Sequence, residues 1–221
     1  APDGEVFFCL ALILAHARWG SVSLSPDEVK VKPSTELAYL PWARKILYDM
    51  LHRQEGEAAP MFQDNGLIAF VPGAPFTDPS YLLPHAFELF AQYAAPEDQG
   101  RWQEIAQVSR DFLLTKAQPE TGLYPEYANN DGTPEEEHGH SSFYSDAYRC
   151  MINLAVDALS CGLEAEASEI AMKQAAFFAA RPEGERWLDY TVEGIPTGRP
   201  SLHPVGLQAS LACTSILSED D

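Results

Sequence analysis

Two kinds of apolar segment alternate along the chain. Some are apolar on every side: Glu5 to Trp19, which Gly20 closes, Ala147 to Leu159, which stops at Gly162, and the run that Pro204 opens. Others carry charge on one side: "PWARKILYDMLHR", "RWQEIAQVSRDFLLTK" and "EAEASEIAMKQAAFFAAR". Helices of the first kind are buried all round, whereas those of the second face water. With one more helix beginning at Pro84, the pattern predicts about seven helices in an inner and an outer ring, an all-α toroid.

Two other segments interrupt the helical pattern. "MFQDNGLIAFVPG" predicts a small β-hairpin with its turn at Asp64-Asn65-Gly66. A loop from Ala117 to Ser145 is long enough to be functional or disordered.

Composition narrows the classes of partner. The net charge of -19 makes nucleic acids and anionic membranes poor partners, and a small neutral ligand is not excluded. No apolar run is long enough to span a bilayer. The four cysteines lack C-x-x-C or zinc spacing, which predicts buried free thiols. The sequence has no N-x-S/T sequon, and we expect a cytoplasmic location. The chain starts "APDGE" and ends "LSEDD", and we expect both ends to be cut.

Polar residues stand at the starts of three apolar helices. They are Asp3, Asp146 and His203. If these helices run in the same direction in one ring, their starts gather at one end of the toroid. Capping alone explains a lone Asp at a helix start. A helix start also stabilises the carboxylate form, which suits a base that must be ionised, so both interpretations stay open.

The loop segment "EEEHGHSS" offers a metal site as an alternative. His138 and His140 follow three acids, Glu135 to Glu137. No third ligand with regular spacing lies on a rigid element, so a solvated loop is favoured. We predict no metal and no cofactor.

Five local strings identify a resemblance that covers nearly the whole chain. "PDGEVFFCLALILAHARWG", "DPSYLLPHAFELFAQYA", "PETGLYPEYANNDGTP", "FYSDAYRCMINLAVDALSCG" and "SLHPVGLQAS" occur in this order and resemble glycoside hydrolase family 8. The resemblance implies that residues 1–221 form one domain, the central part of an (α/α)6 barrel. It also implies inverting hydrolysis of β-1,4-linked xylo-oligosaccharides, with xylose released from the reducing end.

The resemblance also implies roles for individual residues. Asp146 matches the general base that takes a proton from the attacking water. Tyr81 of "DPSY" matches a tyrosine that helps to hold this water, and Asp3 of "PDGE" matches an acid that binds and distorts the sugar. Arg149 matches an arginine that orients these groups.

Other matches concern substrate binding. Leu202 and His203 match a kinked loop that closes the reducing-end side. Four aromatic residues could stack on sugar rings or merely pack: Tyr124, Tyr127, Tyr144 and Tyr148. The string "EEEHGHSSFYSD" departs from the family pattern just before Asp146.

The general acid of the family is a glutamate upstream of "PDGE", so we expect it to lie outside the chain. Glu5, Glu120 and Glu126 lie in no matching acid motif. The alternatives are an endo-acting xylanase or another family 8 glucan hydrolase and, from another class, a non-catalytic carbohydrate-binding or vestigial fragment. The oligomeric state is not predicted.

Overall fold

The structure is a computed structural model that describes residues 2–21, 38–53 and 59–217. In this part of the chain it contains seven α-helices, one two-stranded antiparallel sheet and two short 3-10 turns. The helices are α1 (Pro2–Trp19), α2 (Tyr39–His52), α3 (Pro84–Tyr93), α4 (Gln99–Thr115), α5 (Arg149–Cys161), α6 (Glu164–Ala179) and α7 (Pro204–Thr214). The strands are β1 (Leu188–Tyr190) and β2 (Pro196–Pro200), and the 3-10 turns are Pro79–Tyr81 and Ser215–Leu217.

Residues with restricted backbones set several helix boundaries as predicted. Pro84 and Pro204 occupy the first turns of α3 and α7, where the missing N–H of proline costs no hydrogen bond. Gly162 ends α5 in the left-handed conformation, with φ of 70°.

Two predicted helix starts are wrong, and both concern candidate site residues. Helix α1 begins at Pro2, because proline is compatible with the first turn, and Asp3 therefore lies inside the helix instead of ahead of it. Helix α5 begins at Arg149, because the residues from Ser145 to Tyr148 form a separate turn.

The helices form two rows, which confirms the predicted arrangement. Helices α1, α3, α5 and α7 follow one another in an inner row, each in contact with the next. Helices α2, α4 and α6 form the outer row, and each packs against the inner helix that precedes it in the chain. This alternation of inner and outer helices is the architecture of an (α/α)6 barrel, and it places the first turns of the inner helices near one another.

The inner helices at the two ends of the row are not buried on every side, contrary to the prediction. On α1, Phe7, Phe8 and Leu14 are 46%, 59% and 55% exposed, and on α7 Val205 is 78% exposed. Uniformly apolar helices with open faces have surface for further packing partners. No helix in the described part of the chain is long and apolar enough to cross a membrane.

The β-structure differs from the prediction in position. The predicted turn at Asp64-Asn65-Gly66 forms, but it closes a single bridge between Phe62 and Ile68. The two-stranded sheet instead joins α6 to α7. Its second strand reads "PTGRP", a sequence poor in strand-forming residues, so the pattern did not predict it.

The thiols were only partly predicted. All four cysteines are free, and Cys9 and Cys150 are buried. Cys161 is exposed near the end of α5, and Cys213 is half-buried. The prediction of buried thiols is wrong for these two because both lie close to helix ends.

Candidate functional site

One arginine joins three elements at the starts of the inner helices. Arg149 Nη2 donates to Asp146 Oδ2 and to Ser80 Oγ, the latter over 2.8 Å, and Arg149 Nη1 donates to Asp3 Oδ2 over 3.2 Å. The side chain of Arg149 is 23% exposed. Because a planar guanidinium holds several acceptors in fixed directions, it fixes Asp3 and Asp146 relative to the turn that carries Ser80.

Tyr81 joins this cluster through the same 3-10 turn. Its ring lies under Arg149, with 5.6 Å from the guanidinium carbon to the ring centroid, and the residue is 5% exposed. Helix α5 holds the turn from its other side, since Asn153 Nδ2 donates to Ser80 O over 2.9 Å. The three predicted catalytic residues therefore converge, although they come from three separate parts of the chain.

Asp146 does not cap its helix, so the capping interpretation is wrong. The N-cap position of α5 is Tyr148, which makes no side-chain capping bond, and Asp146 lies in the preceding turn. Its carboxylate binds Arg149 instead. Ser145, directly before it, has φ of 48°, a left-handed conformation that is uncommon for residues other than glycine. Strain of this kind persists only where the surrounding structure holds it, and it is common at functional sites.

The electrostatics of the cluster are dominated by carboxylates. Burial alone would lower the pKa of Arg149, but the nearby carboxylates of Asp146, Asp78 and Asp3 outweigh it and raise that pKa. Burial raises the pKa of Tyr81, and the same carboxylates raise it further. The Tyr81 hydroxyl therefore stays protonated and is able to donate a hydrogen bond.

Asp78 is the member of the cluster that sequence reasoning missed. It is 2% exposed and accepts a 2.8 Å hydrogen bond from the Ser80 backbone N–H. Burial and then the charge of Asp146 raise its pKa to about 8, so this carboxyl is neutral in much of the ordinary pH range. The string "DPSY" indicates that Asp78 starts a helical turn, because an Asp before a Pro is typical of such a start, but it does not indicate that this residue is buried.

Leu202 and His203 lie beside the cluster without touching Arg149. Leu202 is 55% exposed, and His203 is an exposed residue at the N-cap of α7 that makes no side-chain capping bond. The His203 ring is 6.3 Å from the ring of Tyr148, edge to face. Tyr148 therefore connects the predicted wall to the turn of Asp146.

The aromatic candidates separate into two groups. Tyr144 and Tyr148 are half-buried, and the guanidinium carbon of Arg199 lies 4.2 Å from the Tyr144 ring centroid. Tyr124 is fully buried and donates from its hydroxyl to Leu113 O, so sugar stacking is wrong for this residue. Tyr127 is 9% exposed and packs on the Phe70 ring at 4.2 Å between centroids, so packing prevails there as well.

The long loop between α4 and α5 is built around buried acids and is less solvated than predicted. Glu126 and Glu135 are both 5% exposed. His140 Nδ1 lies 2.9 Å from Glu126, and His138 Nδ1 lies 2.9 Å from Glu135, so each histidine has its own partner. In the residues that the structure describes, no three His, Cys, Asp or Glu side chains are placed to hold a metal ion.

One cavity of the structure lies beside the first turn of α1, next to Asp3 and outside the cluster. It has a volume of about 210 Å³ and is lined by residues of α1, α2 and the segment after them: Pro2, Glu5, Ile46, Asp49, Met50, Arg53, Ala59, Met61, Val71 and Pro72. None of the predicted site residues borders it, so the site is defined by its convergent polar groups.

Comparison with known proteins shows that the chain is similar to one group of enzymes. The chain is 44% identical over 222 residues to a reducing end xylose-releasing exo-oligoxylanase of Halalkalibacterium halodurans, covering 100% of this chain and 54% of that protein. It is 43% identical over 224 residues to the exo-oligoxylanase Rex8A of Paenibacillus barcinonensis, covering 99% and 56%. The chain is homologous to the reducing-end xylose-releasing exo-oligoxylanases. It spans about half the length of the curated relatives it matches.

The solved structures of these exo-oligoxylanases share the fold. Rex8A in complex with xylose superposes with a TM-score of 0.88 at 44% identity, covering 100% of this chain and 56% of that chain. A variant of Rex8A has also been solved in complex with 3(3)-alpha-L-arabinofuranosyl-xylotetraose. No family model matches the chain.

Proposed function

We propose that the protein containing this chain is an inverting glycoside hydrolase of family 8 that acts on β-1,4-xylo-oligosaccharides and releases xylose from the reducing end. The observation that carries the proposal is the single guanidinium of Arg149, which binds Asp146 and Asp3 and holds the turn of Tyr81. The similarity to exo-oligoxylanases along the whole chain supports the substrate class.

Asp146 is the proposed general base. An inverting enzyme needs an ionised carboxylate that pulls a proton from water, and the Asp146 carboxylate is held in place by its ion pair with Arg149. Tyr81 is the proposed partner that orients this water, because burial and the surrounding carboxylates keep its hydroxyl protonated. That both residues contact one water is itself part of the proposal.

Asp3 and the wall residues are proposed to bind the sugar. Asp3 is 25% exposed; its Oδ2 accepts from Arg149 and its Oδ1 accepts from the Gly4 backbone N–H over 3.0 Å, so a sugar hydroxyl would use a remaining lone pair of this carboxylate. Leu202 and His203 are exposed and close the reducing-end side. Tyr144 adds a ring near the same end.

Inversion also requires a protonated carboxyl group about 6.5–9.5 Å from the base. Among the described residues, Glu126 is buried with His140 Nδ1 2.9 Å from its Oε2, and Asp78, whose pKa burial raises to about 8, is 2% exposed, so neither carboxyl group is open to a substrate. A glutamate in a motif preceding "PDGE" therefore remains the predicted acid. We also propose that residues 1–221 form the central part of one barrel domain. The open apolar faces on α1 and α7 are then surfaces on which other helices of the barrel pack. We propose further that the protein is cytoplasmic and has no nucleic-acid or membrane partner.

The test is the fate of xylotriose labelled with 13C at its reducing-end anomeric carbon, followed by NMR with the natural gene product. Release from the reducing end places all the label in free xylose and none in xylobiose. Inversion makes the new reducing end of xylobiose appear first as the α-anomer. Label in xylobiose would refute release of xylose from the reducing end. Absence of hydrolysis would favour the alternative of a non-catalytic carbohydrate-binding or vestigial fragment.

A further inference from the structure

The candidate site has two parts that Arg149 does not join to each other: the segment of Asp146 and the loop of Leu202 and His203. The β1–β2 sheet is next to both of them. Phe143, shortly before Asp146, pairs with Tyr190 of β1: Phe143 N donates to Tyr190 O over 2.8 Å, and Tyr190 N donates back over 3.5 Å. Strand β2 ends at Pro200, two residues before Leu202. The sheet therefore borders the segment of the proposed base and continues directly into the proposed wall.

Arg199 of β2 makes the most specific contacts of this sheet. Its Nε and Nη2 lie 2.7 and 2.6 Å from Asp189 Oδ2, and Nη2 also donates to Ser142 Oγ over 3.0 Å. Its guanidinium lies 4.2 Å from the Tyr144 ring centroid. Asp189 is fully buried, so it anchors one edge of the guanidinium while the plane and the other edge bind the segment before Asp146.

A second contact joins the same two parts on the far side of Asp146. A Cβ atom placed on Gly206 would lie 2.5 Å from the Tyr148 hydroxyl, so the tyrosine fills the space that only a glycine leaves open in α7. The ring of Tyr148 also meets His203. Asp146 is thus flanked by Tyr144, which packs on Arg199 just before the wall, and by Tyr148, which packs on His203 and Gly206.

We propose that Arg199 is a positioning residue that holds Asp146 and the loop of Leu202 and His203 in register with each other. The inference rests on the proposed function of these residues. The conformation of Ser145, with φ of 48°, supports it, because this strained residue lies between Tyr144 and Asp146 and needs neighbours that hold it in place. Loss of the Arg199 contacts releases the base and the wall together.

The kinetic test compares Arg199→Gln and Arg199→Lys in the natural gene product, with xylotriose as substrate. Lysine keeps the charge beside Asp189 but loses the planar contacts with Ser142 and Tyr144. We expect Arg199→Lys to keep the melting temperature near that of the parent. In both variants kcat should fall and KM should rise, so that kcat/KM falls roughly 10²-fold, the loss that a displacement of about 1 Å in the site produces. Recovery of kcat/KM in Arg199→Lys would show that Arg199 only neutralises Asp189 and would overturn the proposal.

Arg181→Gln is the matched control. Arg181 also stacks on an aromatic ring at 4.2 Å, that of Phe177, and lies 5.7 Å from the ring centroid of Tyr190 in β1, but its hydrogen bonds and ring contacts do not include Ser142 or Tyr144. Its loss should leave kcat/KM within about twofold of the parent. An equal loss in both variants would indicate general destabilisation of the sheet and count against a positioning role.

Hydrogen exchange gives a readout that does not depend on activity. Peptides covering residues 141–148 and 201–206 should exchange about tenfold faster in Arg199→Gln than in the parent, and not in Arg181→Gln. If Arg199→Gln does not fold, the double variant Asp189→Asn, Arg199→Gln removes the buried charge as well and is measured in its place. Unchanged exchange in both peptides overturns the inference. If the parent releases no xylose, the proposed function is refuted but the role of Arg199 in positioning is not. The hydrogen-exchange result then decides whether Arg199 holds the two segments in place.

Discussion

Arg149 Nη1 donates to Asp3 Oδ2 over 3.2 Å, although 146 positions separate the two residues in the chain. The contact links the first turn of α1 to the first turn of α5. It forms because the inner helices of a toroid with alternating inner and outer helices present their starts at the same end. The contact therefore brings together two of the family-like motifs, those of Asp3 and Asp146.

Arg149→Gln is therefore expected to disorganise the site. Asp146 and Asp3 lose the cation that they share, and Ser80 loses its donor. We expect kcat/KM on xylotriose to fall roughly 10²-fold through misplacement of the reacting groups. Arg149→Lys should recover only a small part, because an ammonium does not reproduce the guanidinium geometry.

Arg101→Gln is the control for that experiment. Arg101 pairs with Glu104, three positions away, as Arg149 does with Asp146, but it lies in α4 away from the cluster. Its activity should equal that of the parent. Full activity of Arg149→Gln would remove the main support for the proposed site.

Asp146→Asn tests the base directly. The substitution keeps the shape of the side chain, and its amide oxygen is still able to accept from Arg149, but it removes the proton acceptor. We expect kcat to fall by about 10²–10⁴-fold. The melting temperature, measured in parallel, should change little because no capping bond is lost. Near-parental turnover would mean that Asp146 has only a structural role.

The features that the sequence predicted are those set by local chemistry. Pro84, Pro204 and Gly162 act through their own backbones, so these helix boundaries follow from residue type. The two-row arrangement follows from the alternation of uniformly apolar and one-sided helices. The convergence of Asp3, Tyr81 and Asp146 required the family resemblance as well.

The features that the sequence did not predict depend on distant contacts. Asp146 favours an N-cap by type, but Arg149 competes for its carboxylate and Ser145 turns the chain away from the helix. Asp78 carries no sign in the sequence that it will be buried near a second carboxylate. Arg199 lies in a strand of prolines and glycine that only pairing with β1 creates.

His203→Ala tests the proposed wall. The His203 side chain is exposed at the start of α7 and makes no capping bond, so its removal should not disturb the helix. We expect KM for xylotriose to rise about tenfold, which corresponds to the loss of roughly 1.4 kcal/mol in binding, with a smaller change in kcat. The comparison of xylotriose with its reduced alditol measures selection of the terminal hydroxyl, and unchanged discrimination would exclude this role.

Asp157 and Arg110 form a buried ion pair that we expect to be structural. Arg110 Nε and Nη2 donate to the two Asp157 oxygens over 2.8 and 2.9 Å, and the side chains are 9% and 4% exposed. Asp157→Ala leaves Arg110 with the part-exposed carboxylate of Glu88 and the thiol of Cys161. The free energy of unfolding should fall by about 3 kcal/mol, the lower end for breaking a buried pair.

Urea unfolding checks this value, and Asp49→Ala serves as the control. Asp49 pairs with Lys45 at the surface, with 42% of its side chain exposed, so its loss should cost less than about 1 kcal/mol. Equal effects of the two substitutions would contradict the distinction between the buried and the exposed pair.

Asp78 should make the stability of the folded chain depend on pH. Burial and the Asp146 charge raise its pKa from an ordinary value of 3.8 to about 8 in the folded state. Between these values the unfolded chain loses this proton while the folded chain keeps it. The stability that Asp78 contributes is therefore fully present below about pH 4 and is lost as the pH rises toward 8, by at most about 1.4 kcal/mol per pH unit.

Asp78→Asn removes this dependence while keeping the acceptor for the Ser80 N–H. The free energy of unfolding of the variant minus that of the parent should therefore increase steadily from pH 5 to pH 8 and level off above it, as measured by urea titrations at each pH. Asp64→Asn, in the exposed turn of the Phe62–Ile68 bridge, should stay parallel to the parent over the same range. If the stability curves of Asp78→Asn and the parent are parallel over this pH range, Asp78 is ionised in the folded state. The positive charge of Arg149 would then be balanced against three carboxylates, those of Asp3, Asp78 and Asp146.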